Sequence, residues 1–127
     1  MAMNHLVGNP GELTNQFNPT WRQFFTSSDL VAPSDTFLFT DEHPDTLNDG
    51  FFMNRFHEFK WGNLPGSFHH GAASLSFTDG HFEPRRWKVR GPSGTVRPPL
   101  RGAVGGSFAA NPGTDFEWLR DHSSVLK

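Results

Sequence analysis

Two stretches of this 127-residue chain concentrate side chains that bind ions or move protons. The first carries Asp41, Glu42, His43, Asp45, Asn48 and Asp49, and the second carries His69, His70, Asp79 and His81. Oxygen donors at such short spacing suit a hard cation, and Ca²⁺ takes about 6–8 oxygen ligands. Asp41, Glu42, His43, Asp45, Asn48 and Asp49 are therefore the candidate metal ligands. Their spacing does not match a helix-loop-helix calcium hand, and the competing reading is a turn whose Asp and Asn side chains bond their own backbone. In the second stretch His69 and His81 flank a predicted hairpin, with His43 near the end of a predicted strand. Three imidazoles and a carboxylate can hold Zn²⁺ with one position open. A metal-bound water would become a hydrolytic nucleophile there, with Asp79 as base or ligand. His69, Asp79 and His81 are thus the candidate catalytic residues of a metal-dependent hydrolase acting on a small ester or lactone, such as an acyl-homoserine lactone. No H-E-x-x-H run backs this chemistry. The competing reading has the imidazoles bonded to backbone groups or facing water.

Other chemistries are poorly supplied. There is no cysteine, so disulfides, thiolate metal sites and thiol catalysis are excluded. No G-x-S-x-G elbow is present, and Gly102 to Gly106 is not followed by the Lys-Ser/Thr of a phosphate loop. The net charge is −2, which argues against a dedicated nucleic-acid binder. Charge is nonetheless uneven, with an acidic stretch from Asp29 to Glu58 and a basic one from Arg85 to Arg101. The two halves can complement each other within one molecule or between neighbours. No run approaches the ~18 apolar residues of a membrane span. Residues 1–11 are neutral and polar rather than a signal peptide, so the chain read literally is cytoplasmic.

The elements that must position these residues are short. Gly (13) and Pro (10) are frequent, and Phe (14) with Trp (4) must supply most of the core. Trp21, Trp61 and Trp87 could instead offer flat platforms to a carbohydrate, although core is the simpler use. Residues 1–17 read as a loop. Asn18 as N-cap and Pro19 at the first helical position open a short predicted helix to Ser28, with Trp21, Phe24 and Phe25 on one stripe. Thr36–Thr40 and Phe51–Phe56 are predicted strands flanking the polar loop 41–50. After the Gly/Pro loop 61–67, Ala72–Thr78 and His81–Val89 form a predicted hairpin around Asp79-Gly80, a type I′ signal. Pro84 marks the second strand as an edge or a bulge. The basic, Gly/Pro-rich stretch 85–113 reads mainly as coil, and Thr114 with Glu117 makes a capping box for a last helix over 114–123. The expected fold is a single α+β domain spanning 1–127, a small antiparallel sheet with short flanking helices and long loops.

Several segments together resemble a known family. They are Pro33 to Phe39, Asp41 to Asp45 and Asn48-Asp49-Gly50, then Leu64 to Ala72 leading into Phe77-Thr78-Asp79-Gly80-His81, and a tail from Asn111-Pro112 to Trp118-Leu119. His69 stands ten positions before Asp79, the His, nine residues, Asp-Gly signature. The match, from about Met3 to His122, is to the C-terminal globular part of pseudopilin-like proteins with that signature, similar in plan to type II secretion major pseudopilins. The resemblance implies a pilin-like head on a small antiparallel sheet, a structural or interaction role and a periplasmic or extracellular place. It also implies Ca²⁺ in a loop beside the sheet, and other pilin-like subunits or copies of itself as partners. Family members carry a long apolar N-terminal helix that polymerises the subunit, and this chain is expected to be the head without it.

Overall fold

The computed structural model describes residues 1–14, 17–43, 46, 50–67, 70–88, 108–109 and 114–127. Among the described residues seven strands and one α-helix follow in chain order: β1 (Ala2–Asn4), β2 (Phe37–Thr40), β3 (Phe51–Phe52), β4 (Lys60–Trp61), β5 (Ala72–Phe77), β6 (Phe82–Arg86), β7 (Phe108–Ala109) and α1 (Thr114–Asp121). The main sheet has five strands in the order β3-β1-β2-β5-β6, and β4 pairs with β7 in a separate ribbon. All main-sheet pairings are antiparallel except β1 with β3. The α+β expectation holds.

The β5–β6 hairpin is the most regular part, and its local sequence dictates it. Alternation along β5 buries Ala73, Leu75 and Phe77. The turn differs from the type I′ expectation. Gly80 donates its N–H to Phe77 O at 3.0 Å, and Phe77 N–H reaches His81 O at 2.8 Å. Only Gly80, at φ +94°, lies in the left-handed region, while Asp79 does not. This is a three-residue loop, a type I turn closed by a left-handed glycine. Bonded pairs at Phe77/His81 and Gly71/Trp87 place Pro84, opposite Ser74, where its missing N–H would have faced away from β5. β6 is an edge strand, as its proline suggests.

One sheet face builds the core. Ala2, Phe37, Phe52, Leu75 and Phe77 are buried with Phe116 and Leu119 of α1 and with Trp21, Trp61 and Trp87. The three tryptophans are therefore core, not platforms. Phe116 is the hub, edge-on to Trp61 at 4.9 Å and to Phe56 at 6.5 Å, and stacked on Phe59 at 5.3 Å. Each such ring pair adds roughly 0.5–1.5 kcal/mol beyond area burial. On the other face, strand register sets Phe51, Met3, Phe39, Ser76 and Phe82 in one row across the sheet.

The predicted helix over 18–28 does not form. Its residues make a turn closed by Trp21 N–H on Asn18 O, bridges from Trp21 to Leu126 and Phe24 to Val7, then a single 3₁₀ turn at Ser27–Asp29. The reason is Asn18. Instead of capping a helix, its side chain is buried and spans to another loop, accepting from Phe56 N–H at 2.9 Å and donating to Asn54 O at 2.7 Å. Residues 1–17, read as a loop, contain the inner strand β1. The predicted strand Phe51–Phe56 shrinks to two residues because the Asn54 side chain turns the chain, accepting from the N–H groups of Gly62 and Asn63. Of the stretch read as coil, residues 89–107 and 110–113 lie outside the described residues, and β7 pairs with β4.

Replacing Asn18 by Ala leaves the Phe56 N–H and Asn54 carbonyl buried without this partner. It should cost about 2–4 kcal/mol in denaturant unfolding. Asn18→Asp, isosteric but without the N–H₂, should also lose stability, which separates bonding from packing.

Candidate functional site

The β5–β6 hairpin holds the described residues of the second candidate group apart. His70 and Gly71 stand at the start of β5, and Asp79 and His81 at the far tip. Six residues of strand lie between, roughly 20 Å at about 3.4 Å per residue. Asp41 meets β5 partway along, accepting from Ser74 N–H at 3.1 Å through Oδ2. From there the chain turns toward Pro65 and Gly66: Gly66 N–H donates to Asp41 O at 2.6 Å, and Glu42 bridges to Pro65. The acidic stretch thus leaves the sheet away from the Asp-Gly tip. Asp41, Glu42 and His43 are thus held apart from Asp79 and His81.

The described carboxylates of the acidic stretch already accept bonds from the protein. Glu42 points inward and is buried, its Oε2 accepting from Thr46 Oγ1 at 3.0 Å and Asn63 Nδ2 at 2.5 Å. His43 is buried, with its backbone N–H on Leu64 O at 2.8 Å and its carbonyl accepting from Thr46 N–H. Asp41 spends an oxygen on Ser74. Asp45, Asn48 and Asp49 lie outside the described residues. Among the described residues no group of three or more His, Asp or Glu side chains is placed to hold a metal ion. A hard cation needs several converging oxygens, and here two carboxylates spend oxygens on protein donors while the third residue offers nitrogen.

At the tip, Asp79 and His81 do meet. Asp79 Oδ1 accepts from His81 N–H at 3.0 Å and from His81 Nδ1 at 2.5 Å. The imidazole also stacks on Phe77 at 4.3 Å. The His81 backbone N–H first, and its ring second, hold the Asp79 carboxyl below the ordinary aspartate value. His81 is thereby fixed with a proton on Nδ1, the orientation a carboxylate gives a general base. His69, the third candidate catalytic residue, lies outside the described residues. The pair is exposed, and the i, i+2 spacing of a turn accounts for it without catalysis.

A shallow apolar cleft of about 220 Å³ lies beside the tip, lined by Val7, Phe24, Phe25, Leu30, Leu38 and Thr78. It is smaller than the roughly 300–1,000 Å³ of a typical ligand pocket. A second cluster was not anticipated from the sequence. His122 stacks on Trp118 at 3.9 Å, and the Arg85 guanidinium lies 4.4 Å from the same ring. Its signal was the i, i+4 spacing of Trp118 and His122 on a helix.

Comparison with known proteins finds no matching family model, curated sequence or solved structure. Among the described residues no helix is long and apolar enough to cross a membrane.

Because the Asp79 carboxyl is held below its ordinary value, what it adds to the hairpin is complete above that value. The contribution is lost as pH falls through the lower, folded one. Hydrogen exchange at the His81 amide should accelerate over that acidic window. Asp79→Ala should show the fast rate already at neutral pH, and Asp79→Asn, which keeps an acceptor oxygen, should stay slow.

Proposed function

We propose that this chain is the globular head of a pseudopilin-like protein of the type II secretion kind. Its role is structural or interactive, in the periplasm or outside the cell, and its partners are other pilin-like subunits or copies of itself. The observation that carries this reading is the second face of the five-stranded sheet. One face carries the core, while the other presents Met3, Phe39, Ser76 and Phe82 in one row, with Phe39 36% and Phe82 67% exposed. Aromatic side chains in register across a sheet call for a cover. A long apolar helix of the kind the family resemblance implies would lie across that row.

The test is to titrate the isotope-labelled protein with a synthetic apolar pilin-type helix solubilised in mild detergent, against detergent alone. Helix-specific amide shifts should centre on Met3, Phe39, Ser76 and Phe82. Phe39→Ser with Phe82→Ser should abolish them while changing the melting temperature little. Shifts confined to another surface would overturn the reading.

Calcium belongs to this proposal through the composition of loop 41–49. Millimolar Ca²⁺ should raise the melting temperature by a few degrees over the chelated protein. An unchanged melt removes the ion and leaves the head. A second reading, a hydrolase of esters or lactones using Ca²⁺ or Zn²⁺, draws on the oriented Asp79–His81 pair beside the apolar cleft. The head predicts no turnover. Lactone hydrolysis abolished by chelation and by His81→Ala would install the hydrolase in its place.

A further inference from the structure

We infer that His5 is an acid-operated lock that holds the segment 18–25 and β3 onto β1. Asn18 sets the state of the ring. Its Oδ1 accepts from Phe56 N–H at 2.9 Å and its Nδ2 donates to Asn54 O at 2.7 Å. Flipping this amide would set oxygen against oxygen and N–H against N–H, so its orientation is fixed by two backbone groups. The same Nδ2 faces His5 Nε2 at 3.4 Å. A nitrogen facing a donor must be the one with the lone pair. The proton of the neutral ring then sits on Nδ1, 3.1 Å from the Phe52 carbonyl, which can only accept.

Both ring nitrogens are satisfied in that one form, and His5 is 1% exposed. A proton added to Nε2 would set N–H against N–H and bury a charge. Asn18 cannot turn to accommodate it without breaking its two other bonds.

The elements packed against His5 carry their own titratable groups. From the segment 18–25 these are Arg22, which is exposed, and from the 53–60 turn Arg55, ion-paired with Glu58, His57, bonded to Thr20, and the half-buried Lys60. The carboxylate joined to the same network is Glu42, linked through Asn63 and Asn54.

His5 also ties the layers through its backbone. Its N–H donates to Phe52 O at 3.3 Å, and its carbonyl accepts from Gln23 Nε2 at 2.9 Å. A charged ring would push apart the strands and loop that these bonds join. The unfolded chain takes up the proton that the folded ring resists. Stability therefore rises with pH through the imidazole range near about 6.5 and is lost as pH falls below it.

Ring ¹⁵N spectra of the intact chain test this directly. At neutral pH His5 should show the Nδ1–H neutral tautomer. On acidification the folded-to-unfolded ratio should fall by up to tenfold per pH unit, the slope of one linked proton. His5→Asn keeps a donor near the Nδ1 position and cannot titrate, so between about pH 7 and about pH 5 its acid slope should be shallower than the wild type's by the share of one proton. An Nε2–H tautomer or an imidazolium at neutral pH overturns the inference, and so does an unchanged acid slope in His5→Asn. If that variant does not fold, the wild-type ring spectrum still decides.

Discussion

Buried side-chain amides bonded to loop backbone are what the rest of this structure depends on. The strands are short, and much of the chain between them forms no ladder of its own. Asn4 donates to Phe37 O and Ser123 O, joining β2 to the chain end. Asn18, Asn54 and Asn63 run in sequence from the segment after residue 17 to the acidic loop, each bonding the backbone of the next. Gln23 reaches His5 O and Gly8 O. Buried backbone groups must find partners, and in a loop-rich chain side chains have to supply them. The aromatic core fills space around this frame, but rings alone specify no register. The amides do, because each has one arrangement of donor and acceptor that fits.

That frame explains what the sequence made legible and what it hid. β2, β5 and the Asp-Gly turn were readable because their signals are local: apolar alternation, and a glycine where the chain needs a positive φ. α1 was readable from its Thr114/Glu117 capping pattern. The segment 18–28 misled because Asn before Pro is a good helix start in isolation. The competing partners of Asn18 lie in a loop about 36–38 residues away, and tertiary bonds override propensity. β1, with sequence Ala-Met-Asn, carries almost no strand signal. It becomes a strand because β2 and β3 present bonding edges on either side of it.

The site was legible to a similar degree. The Asp79–His81 contact follows from a two-residue spacing at a turn. Glu42 looked like one more loop carboxylate, yet Thr46 and Asn63 draw it inside, where it organises the loop instead of facing solvent. Nothing in its immediate neighbours signals that inversion, because Asn63 arrives from beyond the next turn. The separation within the second polar group is likewise a property of the hairpin's length. His70 and Asp79 look close on paper and are held apart by the strand that joins them.

Pro84 has a consequence for growth of the sheet. β6 is the longer of the two outermost strands, five residues against two in β3, and so the more inviting template for another chain. At its midpoint the outward-facing donor is missing, so an added strand would meet a carbonyl there with no N–H to return its bond. Lateral extension into a ribbon of successive copies is interrupted at that residue. Whatever higher-order contacts this molecule makes, its backbone steers them away from strand-by-strand addition at β6 and toward contacts between side chains.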